Sequence, residues 1–305
     1  MTNQPSVQES FPEPFPQPFP QPSPQPSPQP SPQPFPQPFP RVTPKAIRLL
    51  ILEQARRAHV GHIGSALSVA DIMAVLFSGL LESGNPDGNH PEARDRFVLS
   101  KGHAALALYS ALYLQGKLDQ AALDTYCSNG SRLGVHPEKE LPGVDFSSGS
   151  LGQGLGTGAG AALAMKLKGS LGRVRVLMSD AELNEGSTWE AIMFAAHHKL
   201  DNLDVIIDLN GQQALGMTHD VIDMTPLAPR WAAFGWHVRR ADGHDAQALH
   251  RELASMAGTR GKPQVLLAET RSGKGVGFME TRIKWHYFPM TEVEYAAARR
   301  EVEAA

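Results

Sequence analysis

Two side-chain oxygen donors stand just past two apolar runs of this 305-residue chain: Asp180 follows residues 174–178, and Asn210 follows residues 203–207. A carboxylate and an amide oxygen, joined by a backbone carbonyl, suit a hard divalent cation that keeps part of its shell for phosphate oxygens. A helix expected from Ser187 would add free amides and the positive end of its dipole for an anion. Each residue alone also fits a plainer role, Asp180 as a helix N-cap and Asn210-Gly211 as a turn. Their pairing across one helix favours a shared site. The second set is histidine. Four of the 12 histidines fall in short, loop-like contexts: Gly61-His62-Ile63-Gly64, Lys101-Gly102-His103, Val135-His136-Pro137 and Lys284-Trp285-His286. Imidazoles titrating near their ordinary value of about 6.5 can donate to a developing oxyanion and move a proton near neutral pH. A lone histidine is more often structural, and His197, His198, His237 and His244 are read that way.

These groups need a scaffold. Residues 45–58 carry apolar positions at helical spacing, with Thr43 and Pro44 as N-cap and first helical residue. Residues 68–80 and 103–115 also read as helices. Short apolar runs recur at 97–99, 174–178, 203–207, 236–238 and 265–268. Such runs, separated by helical stretches, predict parallel strands buried on both faces. The expected class is α/β, a doubly wound, mainly parallel sheet flanked by helices, with ligands beyond the carboxyl ends of the strands.

Most of the 25 prolines lie in the first 44 residues, every even position from Pro12 to Pro40 among them. Neither helix nor sheet can form on such a pattern, so residues 1–44 are expected to be a disordered polyproline II tail. The tail reads as a spacer, or as a docking ligand anchored by Phe11, Phe15, Phe19, Phe35 and Phe39. Residues 45–305 then form the folded domain. Net charge is −3 with both signs mixed along the chain, which argues against nucleic acid as a partner. The single cysteine, Cys127, excludes a disulfide scaffold. With no apolar leader and no run of 18 apolar residues, no membrane partner is expected and the cytoplasm is the default location.

Gly149-Ser150-Leu151-Gly152-Gln153-Gly154 precedes a small-residue helix at 155–165, where glycine serves close helix packing or a ligand contact. Gly273-Lys274-Gly275-Val276-Gly277 lacks the hydroxyl residue and spacing of a nucleotide phosphate loop, and that reading is rejected.

The segment from Asp180 to Gly211 resembles thiamine-diphosphate enzymes, and transketolases in particular. It includes Glu185-Gly186-Ser187-Thr188-Trp189-Glu190-Ala191 and His198-Lys199-Leu200-Asp201-Asn202-Leu203. The resemblance implies that Asp180, Asn210 and the carbonyl of Gln212 ligate Mg²⁺. It places Ser179 and Ala181 beside the diphosphate, where the family has glycines; serine and alanine are the smallest replacements. It implies that Gly149 and Leu151 contact the cofactor rings. His62, His136 and His286 would face the sugar hydroxyls, His103 would sit nearer the diphosphate, and His286 would serve both. Glu185 would belong to a carboxylate chain linking paired active sites. Ile63 replaces a family proline, a change of loop stiffness rather than chemistry.

The implied activity is transfer of a two-carbon ketol unit between sugars or sugar phosphates. The family also needs a second domain, whose glutamate sits beside the aminopyrimidine, and none follows in this chain. The resemblance therefore implies a C-terminal transketolase subunit carrying the pyrimidine-binding domain, in a heterotetramer with two copies of each chain. Alternatives within the fold are a 1-deoxyxylulose-phosphate-synthase-like or 2-oxo-acid dehydrogenase subunit. A different class is a non-catalytic regulatory subunit that keeps the fold.

Overall fold

The computed structural model describes residues 41–81 and 94–305, all within one compact unit. The proline tract at 1–40, with the disorder expected of it, lies outside the described residues. In chain order the strands are β1 (Arg96–Leu99), β2 (Val174–Ser179), β3 (Leu203–Leu209), a small ribbon of β4 (Gln212–Gln213) and β5 (Gly216–Met217), then β6 (His237–Asp242) and β7 (Gln264–Glu269). Five of them form one sheet in the order β1-β2-β3-β7-β6, every pair parallel.

Successive side chains on a strand point to opposite faces, so a strand buried on both needs apolar residues throughout. β2, β3 and β7 are largely of this kind, with Arg175, Asp204 and Asp208 as the buried charges among their apolar residues. Leu99, Leu177, Ile206 and Leu266 face one core, shared with helices Pro44–Ala58, Ala105–Leu114, Ala246–Met256 and Glu292–Ala304. Val98, Val176, Val205 and Leu267 face the other, shared with helices Gly154–Leu167, Gly186–His197 and Leu227–Ala233. Each fully buried Leu, Ile or Val contributes about 1.5–3 kcal/mol. The doubly wound α/β architecture expected from the apolar runs is therefore the one observed. Among the described residues, no helix is long and apolar enough to cross a membrane.

Three elements depart from expectation. The helix expected over 68–80 is broken into Ile63–Ser68, Ala70–Val75 and a wider-wound turn at Leu76–Leu80, where Gly79 has φ 142°. The strand expected at 236–238 runs instead from His237 to Asp242. It is an edge strand and half exposed, so Arg239 and Arg240 are tolerated inside it and hid its length. The helix expected from Ser187 starts at Gly186, preceded by a 3-10 turn at Asp180–Asn184. The Thr43 cap is found as expected, its hydroxyl accepting from the Ala46 amide at 3.2 Å.

At the amino ends of the strands, buried charges are paired. Arg173 meets Asp204 at 2.6 Å, and Arg175 lies 3.6 Å from both Asp204 and Asp95. The opposite, carboxyl ends converge on the candidate site.

Candidate functional site

The turn after β2 is held by Glu182. Its carboxylate accepts from the Ser179 amide at 2.8 Å, the Ser179 hydroxyl at 3.2 Å, the Gly152 amide at 3.0 Å and the Ser100 hydroxyl. One buried acid thus ties the ends of β1 and β2 to the glycine-rich segment, and burial raises its pKa despite those bonds. The Ser179 hydroxyl, expected beside the diphosphate, is engaged by Glu182.

Asp180 is buried beneath this turn. One carboxylate oxygen accepts from the Ala181 amide at 2.9 Å, the other from the Gly211 amide at 2.8 Å. The second bond spans from β2 to β3, which are neighbours in register (Ser179 opposite Asp208), as the sequence pairing required. Gly211 makes this turn with φ 71°, a conformation that favours glycine. Burial first, then the nearby Asp208 charge, pushes the Asp180 carboxyl up to about 7, against the backbone bonds and Lys101. Asn210 donates its Nδ2 to Asp208 at 2.7 Å and accepts at Oδ1 from the Gln212 amide at 2.9 Å. The Gln212 side-chain oxygen is buried without a hydrogen-bond partner.

The donors available are one carboxylate, one amide oxygen and backbone carbonyls. Among the described residues, no three His, Cys, Asp or Glu side chains cluster as metal ligands. The chemistry of this donor set fits Mg²⁺ that takes the rest of its shell from phosphate and water.

The four histidines converge. Ring centroids of His62 and His103 lie 5.4 Å apart, His62 and His286 5.3 Å, and His103 and His286 5.5 Å. His136 flanks Gly149, whose φ is 153° and where an added Cβ would sit 3.0 Å from the imidazole. Gly102 is equally constrained, since a Cβ there would lie 2.8 Å from the Gly149 amide nitrogen. His62 is itself left-handed (φ 61°), and its amide donates to the His286 carbonyl at 3.2 Å. Burial is the main cause holding these rings below ordinary histidine. His62 is lowered by burial and by His136. His103 falls well below by burial and by Lys101, His286, His62 and His136. His286 is lowered to about 4 by burial, His62 and Lys101. For these three rings the surroundings lower the pKa from the ordinary value of about 6.5 and so favour the neutral imidazole.

One cavity of about 270 Å³ is lined by His62, His103, His136, His286, Gly149, Leu151, Ser179, Ala181, Glu185, Asn210 and Gln212. Of the residues singled out in the sequence for this site, Asp180 alone does not line it; it lies behind, at the edge of a smaller cavity beside Leu209 and Asp223. His244, read as structural, bridges the Asp71 carboxylate at 2.8 Å and the Arg271 amide at 2.9 Å, away from the cavity. The rejected phosphate loop turns by positive φ at Gly273 and Gly275, and Gly275 packs on Arg48.

Sequence reasoning missed the pair beneath the cavity. Lys101 and Asp208 are both wholly buried and ion-paired. Asp208 also accepts from Ser68 at 2.6 Å, from Asn210, and from the Thr270 hydroxyl. The available signal was an aspartate inside a doubly buried strand, which demands a counter-charge.

Comparison with known proteins follows the same outline. The family model described as "Transketolase, thiamine diphosphate binding domain" matches residues 41–304. The chain is 39% identical over 255 residues to an apulose-4-phosphate transketolase subunit of Phocaeicola vulgatus, covering 84% of this chain and 90% of that protein. It is 38% identical over 258 residues to the 6-deoxy-6-sulfo-D-fructose transketolase subunit SqwG of a Clostridium species, covering 84% and 94%. Among solved structures, transketolase from Campylobacter jejuni superposes with a TM-score of 0.80 at 31% identity. That match covers 86% of this chain but 42% of the Campylobacter chain. Leishmania mexicana transketolase gives 0.78 at 29% identity, covering 85% and 40%. The chain thus spans nearly all of the two shorter relatives and about two fifths of the solved transketolases.

Proposed function

This chain belongs to the transketolase family through its thiamine-diphosphate-binding domain, and we propose that it is the diphosphate-holding subunit of a two-chain ketol transferase. The observation that carries the reading is the convergence of four histidines and the Asn210–Gln212 turn on one cavity at the strand ends.

In this reading Asp180, the Asn210 amide oxygen and the Gln212 carbonyl would hold Mg²⁺, whose charge would offset that of the diphosphate. The amides at the start of helix Gly186–His197 add a dipole end suited to negative charge. Ser179, Ala181, Gly149 and Leu151 shape the cofactor cradle. Thiamine diphosphate, once bound, supplies the carbanion chemistry that protein side chains lack. His62, His136 and His286 orient the sugar hydroxyls, and an imidazole nitrogen takes the hydroxyl proton as the carbon–carbon bond breaks. Neutral rings suit this work, since each presents one donor and one acceptor. The negative charge of a bound diphosphate or sugar phosphate raises their pKa toward the working range. His103 lies nearer the diphosphate, and Glu185, at the mouth, joins the carboxylate chain between paired sites.

The partner is a chain carrying the pyrimidine-binding domain, two copies of each making a heterotetramer. Two relatives are each named as a transketolase subunit, which supports a divided enzyme. A single cysteine suits a reducing compartment such as the cytoplasm.

Calorimetric titration of thiamine diphosphate into the complex, with and without Mg²⁺, tests the cofactor assignment. Binding is expected to require Mg²⁺, and Asp180→Ala is expected to abolish it. Undiminished binding by that variant would remove Asp180 from the metal site.

A further inference from the structure

An asparagine amide is nearly symmetric in shape but not in chemistry: its oxygen can ligate a cation and its NH₂ cannot. Asn210 therefore works as a ligand only in one of two similar orientations, and something must choose. We propose that the buried Lys101–Asp208 pair makes that choice, acting as a positioning device that turns the Asn210 oxygen toward the cation. The proposal rests on the reading that Asp180, Asn210 and Gln212 hold a divalent ion.

An ionised carboxylate accepts hydrogen bonds and donates none, so Asp208 can take only the NH₂ side of Asn210. It does so at 2.7 Å. The oxygen is left on the other side, beside the Gln212 amide at 2.9 Å, in the turn whose Gly211 amide binds Asp180. Asp208 must also stay charged and still. It is wholly buried, where a bare carboxylate would be costly. Four groups hold it: the Ser68 hydroxyl at 2.6 Å, the Thr270 hydroxyl, the Lys101 ammonium and Asn210 itself. Lys101 is in turn fixed by the Ser65 carbonyl at 3.3 Å. These donors come from the helix Ile63–Ser68, the end of β1 and the segment after β7. The orientation of one amide is thereby locked by three separate parts of the fold.

Asp208→Asn keeps the shape but can donate as well as accept, so Asn210 loses one of the two bonds that fix its orientation and keeps only that from the Gln212 amide. The test is titration of the full chain with Mn²⁺ in the presence of thiamine diphosphate, reading free Mn²⁺ by its paramagnetic resonance signal and repeating with Mg²⁺ in competition. Affinity should fall about tenfold to a hundredfold. Should Asp208→Asn fail to fold because Lys101 is left unpaired, Lys101→Met with Asp208→Asn removes both charges and carries the same expectation. The decisive variant exchanges the two residues, Asp208→Asn with Asn210→Asp. A carboxylate at 210 offers oxygen in either orientation, so cation affinity should recover to near the wild-type value. A purely structural role for Asp208 would leave the exchange no better than the single change.

Wild-type affinity in Asp208→Asn, or no recovery in the exchange, overturns the positioning role while leaving the cation site intact. Equally weak binding by wild type and Asp180→Ala would remove the site and this proposal together.

Discussion

Three imidazole rings packed 5.3–5.5 Å apart, over a buried lysine, cannot all carry protons, and this sets how the site responds to pH. His286 titrates at about 4 in the fold, against an ordinary 6.5. Protonation therefore favours the unfolded chain. The stability its neutral form contributes is complete above 6.5 and is lost as pH falls through the window down to about 4. Asp180, raised to about 7, acts with the opposite sign over much of the same range, so total stability blurs the effect. A difference between variants isolates it. The Tm of His286→Asn relative to wild type should be flat above pH 7 and move in favour of the variant as pH falls from 6.5 toward 4. A difference independent of pH would mean that His286 is not held neutral by its surroundings. In the complete enzyme the same substitution should cost about 10²–10⁴ in kcat, the usual worth of a positioned acid–base group, with Mg²⁺-dependent cofactor binding retained. Steady-state kinetics beside calorimetry checks both halves of that statement.

The strands that carry Asp180 and Asn210 depend on charges buried at their far ends. Asp204, fully buried on β3, neutralises Arg173 and lies 3.6 Å from Arg175, both on or next to β2. Asp204→Ala leaves those guanidiniums short of a counter-charge, and the expected loss is about 3–5 kcal/mol in chemical denaturation. A loss under about 1 kcal/mol would place the pair among weak surface-like bridges. These strands were legible in the sequence because burial on both faces leaves a mostly apolar run, at 174–178 and 203–207 interrupted only by Arg175 and Asp204. β6 was less so, since an edge strand tolerates Arg239 and Arg240. The break between Ile63–Ser68 and Leu76–Leu80 was not legible at all. Nothing in residues 62–78 marks the left-handed turn at His62, which is held by the hydrogen bond its amide donates to the His286 carbonyl more than 200 residues away. For the same reason Lys101 passed as an ordinary polar residue beside His103. Its partner is on β3, and only the sheet brings Asp208 beneath it.

At the scale of the whole molecule, the length of the chain sets it against two kinds of relative. It covers nearly the full length of two transketolase subunits but 42% of the Campylobacter transketolase chain. Its cavity gathers Asn210, Gln212, Gly149 and the four histidines, the residues that the proposed function assigns to the diphosphate side of the site. The most direct test of a divided active site is ketol transfer by this chain purified alone, and by the same chain mixed with a separate transketolase chain carrying the pyrimidine-binding domain, each with thiamine diphosphate, Mg²⁺, a ketose phosphate donor and an aldose phosphate acceptor. Turnover by the mixture, and none by either chain separately, is the predicted result. Turnover by this chain alone at the rate of the mixture would contradict the divided site, and a mixture that binds cofactor yet transfers nothing would contradict the enzyme.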